Sequence, residues 1–270
     1  METLFDPLFH VPWVTGGILS LSLPLIGLYL RLRDEWLAAL GLAQMAAAAG
    51  LIGHGLGLPI MLSGTVGGLL MALLRHLTLA GNTAYALMII SGWSITFLAA
   101  ANTPLGESLG RALMDGQLYF VQWPSALAAL IILVIGAGFL CWASPRLLRA
   151  RLFPHFEQLN ETNSYRWHLG FDITVAITMA VATASIGLMT AFAMIFIPAW
   201  LAFKIAKGWR NACLLAVLFN AASYVLGFAL AVLFDQPYGP TQTAVHLLGA
   251  GVILAGHNLF TMQTDVFKPR

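Results

Sequence analysis

Residues 170–204 read GFDITVAITMAVATASIGLMTAFAMIFIPAWLAFK, and in this run of 35 only Asp172 and Lys204 carry charge. An apolar helix crosses the hydrocarbon core of a bilayer in about 20 residues, so the block is too long for one crossing and fits two. Gly187 lies near its middle, and a tight reversal is placed there. The rest of the chain has the same character. Of its 270 residues 59% are apolar and 9% charged, with a mean hydropathy of +0.83, whereas soluble domains carry about 25% charged residues. A single water-soluble core could not bury that much apolar surface, so the solvent is lipid.

Nine apolar runs follow: 12–30, 36–56, 59–75, 82–101, 124–142, 170–187, 188–204, 211–233 and 241–262. All are read as helices, because a helix satisfies its own backbone polar groups in lipid. The fold class is therefore an all-α polytopic bundle of about nine spans in one transmembrane domain, residues 1–270. Nine crossings place Arg31, Arg33, Arg75, Arg146, Arg149, Arg151, Arg166, Lys204, Lys207, Arg210, Lys268 and Arg270 on one side and Arg111 alone on the other. The positive-inside rule then puts the N-terminus outside and the C-terminus in the cytoplasm. Before Arg31 there is no Lys or Arg, so the first run is expected to remain as a span rather than act as a cleaved leader. Seven of the eight tryptophans lie near predicted span ends, where amphipathic rings favour headgroup level; Trp93 is mid-span.

Two connections are long. The outer one, 102–123, has Leu105, Leu109 and Leu113 at spacing four with Glu107, Arg111 and Asp115 on other faces, which predicts a short interfacial helix. The inner one, 144–169, begins with the basic patch Arg146–Arg151, suited to anionic lipid. It continues through the polar segment His155–Tyr165, a candidate docking surface for a soluble partner.

Composition and motifs exclude several functions. Two cysteines make neither a disulfide framework nor a cysteine zinc site. A net charge of +2 gives no bulk attraction to nucleic acid. The Gly64–Gly68 run lies in a span and lacks the Gly-Lys-Ser/Thr ending of a phosphate loop, so any ATP is hydrolysed by another chain. Gly53/Gly57 and Gly64/Gly68 have the spacing that lets membrane helices approach closely. Ionisable groups within spans are few: Asp172, expected to snorkel or cap near a span end, with His54 and His76 near span ends and His246 and His257 on the last span. The two last-span histidines are about 16 Å apart along the axis, so they cannot share an ion and are read as packed or headgroup-level residues. Gln44 stands mid-span among Ala and Gly, and a buried amide in lipid needs a partner. Interhelical hydrogen bonding and a place on a translocation path are both open to it.

In sequence order these features resemble the ABC-3 family, the membrane permeases of bacterial zinc, manganese and iron ABC importers. Gly187-Leu-Met-Thr-Ala-Phe-Ala-Met-Ile-Phe-Ile-Pro198-Ala199 resembles the family's Gly-Ala-Leu…Ile-Pro-Ala element. Asp235-Gln-Pro237-Tyr-Gly239-Pro240 resembles its Asp-x-Pro-x-Gly-Pro turn before the last span. Leu23-Pro24-Leu25…Arg31-Leu-Arg33 and Met114-Asp115-Gly116-Gln117-Leu118 match further upstream. The resemblance implies a bacterial inner-membrane, multi-pass permease that binds no cofactor and cleaves no bond. Its implied partners are cytoplasmic ATPase subunits holding ATP and Mg, a second permease subunit in a homodimer, an extracytoplasmic solute-binding protein and membrane lipid, with no nucleic acid. It also implies that 144–169 is the coupling connection, with His155, Phe156, Gln158 and Leu159 as the ATPase contact. In family members the second span carries an Asp and, four residues on, a His that handle the metal. The matching positions here are Leu40 and Gln44, with Met45 beside them, so no residue set is assigned to a metal. A metal complex, a larger ion or another small solute thus joins the bare ion as expected cargo. The alternative from another class is a secondary carrier or a non-transporting scaffold. The near absence of buried mid-bilayer charge disfavours the carrier.

Overall fold

The computed structural model describes residues 7–78, 81–103, 106–153 and 165–266. Among these the chain is helical, with ten α-helices and no strand. They are α1 (His10–Arg33), α2 (Leu37–Gly55), α3 (Ile60–Thr78), α4 (Asn82–Asn102), α5 (Gly106–Asp115), α6 (Trp123–Leu152), α7 (Tyr165–Ile186), α8 (Leu188–Ile205), α9 (Trp209–Leu233) and α10 (Tyr238–Val266), with 3-10 turns at Pro7–Phe9 and Leu118–Phe120. Each of the nine apolar runs falls on its own helix. Seven helices are long and apolar enough to cross a membrane: α1, α2, α4, α6, α7, α8 and α9. The apolar part of α3, Ile60–Arg75, is shorter, and α10 is not among the seven.

The inner helices are α1, α2, α7 and α8. They supply most of the main core, including Leu19, Leu23, Leu42, Phe171, Met179 and Met194. Around them, α4 and α6 are the most outward-facing of the apolar helices. They turn Leu87, Ile90, Trp93, Ile131 and Val134 outward, an apolar exterior suited to lipid rather than water. Small residues set the close approaches. A β-carbon on Gly53 would sit 2.2 Å from the Ser63 side chain, and one on Gly64 would sit 2.9 Å from the Ala46 carbonyl oxygen. Gly57 departs from the predicted packing pair: it lies in the turn after α2, and nothing approaches it.

The 170–204 block divides as its length requires. A single residue, Gly187, separates α7 from α8, and the two helices pack on each other. Its φ of 85° is open to glycine and strained for side-chain-bearing residues. The α5 helix forms where predicted, with Glu107 and Arg111 paired in solvent at 2.7 Å. Its apolar side does not lie on lipid. Leu113 is buried and Leu109 packs on the core, so α5 is tucked across the ends of α4 and α8. Leu105 lies outside the described residues.

The 144–169 connection is shorter than its apolar boundaries suggested, because α6 runs to Leu152 and α7 begins at Tyr165. The basic patch is thus helical, and Arg146 lies over the rings of Trp142 and Trp167 at 4.6 and 4.0 Å to their centroids. His155, Phe156, Gln158 and Leu159 lie outside the described residues.

Candidate functional site

The candidate seam begins on α2. Leu40 and Gln44 are one turn apart and so share a face. Leu40 is half-buried against the core, and Gln44 is 4% exposed. Helix α4 comes closest here through Gly92: a β-carbon on it would lie 2.9 Å from that of Gln44. The Gln44 Oε1 is buried with no hydrogen-bond partner among the described residues. The half-buried Met45 thioether accepts a contact from the Ser91 hydroxyl at 3.6 Å. The structure therefore brings Gln44 and Met45 together at the α2–α4 contact, with an amide oxygen and a sulfur but no ionisable ligand. Among the described residues no group of three or more His, Cys, Asp or Glu could hold a metal ion.

The family-like elements are structural. Pro198 is buried inside α8. Asp235 ends α9 at φ 50°, and the Gln236 amide donates to the Ala231 carbonyl at 2.9 Å. Pro237 precedes α10, and Pro240 sits in its first turn, where no backbone donor is required. Gly239 and Pro240 line an open groove of about 630 Å³ with Met189, Thr190, Phe192 and Thr243. Met114 joins this groove to a larger one of about 1040 Å³ along α4 and α5. Beneath the turn, Tyr238 packs edge-on with Tyr119 and Phe228. The Tyr119 hydroxyl is pushed up to about 12, first by burial and then by the negative charge of Asp235.

A second polar assembly crosses α1, α9 and α10. The Asn220 amide donates to the Ser20 carbonyl at 2.7 Å, which leaves its Oδ1 to accept from His246 Nε2 at 2.6 Å. His246 Nδ1 lies 3.0 Å from the Gln242 side-chain amide nitrogen and 2.9 Å from the Gln242 backbone carbonyl oxygen. Both ring nitrogens thus have polar partners within hydrogen-bond distance. His246 is fully buried and packed, one of the two states expected for it.

The third assembly was not anticipated from sequence. At the end of the bundle where α1 finishes, α2 starts and α3 finishes, four charges close a ring. Arg33 meets Glu35 at 2.7 Å and Asp172 at 3.0 Å; Arg75 pairs with the other oxygen of each carboxylate. Asp172 is 1% exposed and Arg75 8%. Arg33 lies over Phe171 at 4.9 Å and Arg75 over Tyr85 at 4.7 Å. Asp172 neither snorkels nor simply caps its helix: its two carboxylate oxygens are held by two guanidiniums from α1 and α3. Glu35 is positioned by a helix-terminating turn, in which its amide donates to the Leu30 carbonyl at 3.0 Å and Asp34 adopts φ 59°. The available signal was Asp172, the single acidic residue inside an apolar run, whose charge requires a buried partner.

A profile of the ABC 3 transport family matches residues 6–255. The fold is shared with PsaBC from Streptococcus pneumoniae, solved in complex with Fab: TM-score 0.81 at 16% identity, covering 93% of this chain and 92% of that one. It is also shared with a metal-chelate type ABC transporter in an inward-facing conformation, at TM-score 0.74 and 14% identity, covering 91% of this chain and 85% of that one. No curated protein matches the chain by sequence.

Proposed function

The chain belongs to the ABC 3 transport family, and from that premise we propose that it is the membrane-spanning permease subunit of an ATP-driven, binding-protein-dependent importer. The observation that carries this reading is the family match, which spans residues 6–255. In this reading the chain crosses a bacterial inner membrane nine times, N-terminus outside. The end bearing the ring and the basic residues is cytoplasmic; the twelve-to-one distribution of Lys and Arg supports that direction. The permease domain hydrolyses nothing. ATP and Mg belong to two cytoplasmic ATPase subunits, which dock on the 144–169 connection at His155, Phe156, Gln158 and Leu159. A second copy of the chain completes the pore, and a solute-binding protein delivers cargo from outside.

The cargo is a metal ion or a metal complex. The metal-chelate type of one structural neighbour supports this class. The seam favours a complex, because Leu40 offers no ligand atom, Gln44 a neutral amide and Met45 a thioether. A divalent ion stripped of its ligands binds poorly to such a set. Uptake proceeds by alternating access: closure of the ATPases shifts the connection, and the bundle rocks to release cargo inward.

The test is purification with the cognate ATPase and binding protein, elemental analysis of the complex, and an ATPase assay against a panel of metals and chelates. A permease gives a stable complex whose hydrolysis one cargo stimulates; a chain that retains no ATPase is a scaffold. For the topology, a reporter after Arg270 reads cytoplasmic and a tag at 102–105 extracytoplasmic. Two tags on one side break the nine-span reading.

A further inference from the structure

We propose that the Arg33–Glu35–Arg75–Asp172 ring is the latch through which movement of the ATPase subunits reaches the transport path, with Asp172 as its moving contact; this rests on the reading of the chain as an importer permease. Stability alone is a poor reason for such a ring. Desolvating four charges costs several kcal/mol per ion, and apolar residues of similar size generally hold a fold at least as well. What a buried charge network supplies is a discrete geometry that is either closed or broken.

The ring has three fixed members and one on a lever. Arg33, Glu35 and Arg75 lie on α1, the α1–α2 turn and α3, and that turn is tied to α4 by the Asn82 side-chain amide donating to the Asp34 carbonyl at 3.1 Å. Asp172 comes from α7, two turns inside its start, about 10 Å along the axis at 1.5 Å per residue. The first turn of α7 is fastened to α6: Trp167 packs on Trp142 with centroids 4.4 Å apart, and Arg146 covers both rings. The stretch joining α6 to α7 is where the ATPase docks in the proposed function. A push on that stretch moves the start of α7, and a hydrogen-bonded carboxylate tolerates only a few tenths of an ångström before its bonds weaken. Displacement of the start of α7 therefore opens the ring, while the rest of α7 stays packed along α2 and α3. Helix α2, which carries Gln44, starts beside Glu35.

The experiment uses the full complex in proteoliposomes and reads how strongly the solute-binding protein, as it purifies, stimulates ATP hydrolysis. An apolar ring, Arg33→Met/Glu35→Leu/Arg75→Met/Asp172→Leu, removes the latch without leaving an unpaired charge. If the ring couples, this variant still binds its ATPase while stimulation falls by about tenfold, a typical coupling magnitude. If the ring is merely structural, yield and melting temperature change and stimulation per complex does not, which overturns the proposal. A second measurement needs no ring variant. Spin labels at Leu73→Cys on α3 and Arg166→Cys on α7, with Cys141 and Cys213 replaced by Ala, report the distance across the ring. Different distances in nucleotide-free and ATP-trapped complexes support the latch; identical distributions sink it. A wild-type chain that retains no ATPase instead overturns the importer reading beneath it.

Discussion

Helix α2 meets two polar regions of opposite character. Beside its first turn, Glu35 belongs to a buried ring of four charges in which each guanidinium bridges two carboxylates. Nine residues on, about 14 Å along the axis, Gln44 faces α4 with a neutral amide whose oxygen has no partner among the described residues. The first region is crowded with complementary partners; the second is under-supplied. A carboxylate whose oxygens are all ion-paired within the protein has little left for a ligand, whereas an unpaired acceptor on a seam is open to one. Buried charge here thus serves helix-to-helix contact, and the seam at Leu40, Gln44 and Met45 is neutral.

The comparison is most sharply tested at Asp172. We expect Asp172→Leu alone to leave Arg33 and Arg75 facing each other and to cost about 3–5 kcal/mol, whereas the fourfold apolar ring costs little or nothing. Thermal unfolding of the detergent-solubilised chain measures both. Equal losses in the two variants would mean that packing, not charge compensation, governs the region.

Next in size is the connection that the ring is proposed to serve. Phe156→Asp with Leu159→Asp places unpaired charge in the docking surface and weakens ATPase association by about 2–4 kcal/mol. Co-purification from membranes reads this directly. An unaltered complex with normal stimulated hydrolysis moves the coupling surface elsewhere, with Lys204–Arg210 the next place to test.

At the seam the expected effects are smaller. Gln44→Leu reduces uptake per folded complex while leaving assembly intact. Leu40→Asp with Gln44→His rebuilds a carboxylate and an imidazole on one face and raises the response to zinc or manganese by about tenfold. If Gln44→Leu instead lowers folding yield while uptake per complex is unchanged and the double variant ignores metal, Gln44 is interhelical glue. The smallest effect belongs to the exposed pair on α5. Glu107→Ala changes stability by no more than about 0.5 kcal/mol, because both partners are solvated. A larger loss there would erase the contrast between buried and exposed ion pairs.

The helices were legible because lipid imposes one requirement on every span. Apolar length and the glycine at 187 were enough to divide the chain, and each run became a helix. The positions of charges were less legible. Arg33 and Arg75 sit at span ends, where a basic side chain is expected whether it reaches headgroups or turns inward, so sequence counted them as topology signals. Their partners lie two and 139 residues from Arg33, and nothing local to either pairing distinguishes them. The α5 helix was recognised by its spacing, but its inward packing depends on α4 and α8, which periodicity does not see. His246 was read as packed or at headgroup level, and its polar partners emerged only when Asn220 and Gln242 were brought beside it. The Asp235–Pro240 turn was legible through its resemblance to the family's turn before the last span.

The sum of charges in the ring has a consequence for voltage. With Arg33, Arg75, Glu35 and Asp172 all ionised, the assembly is electrically neutral. Carrying one elementary charge through a membrane potential of 100 mV involves about 2.3 kcal/mol, but a neutral cluster displaced as a body does no net electrical work. While closed, the ring of a rocking bundle would move without electrical work; the opening proposed for it shifts Asp172 away from Arg33 and Arg75, and that separation of charge would couple to the field. Dependence of uptake on membrane potential would then come from two sources, the charge of the cargo and the opening of the ring.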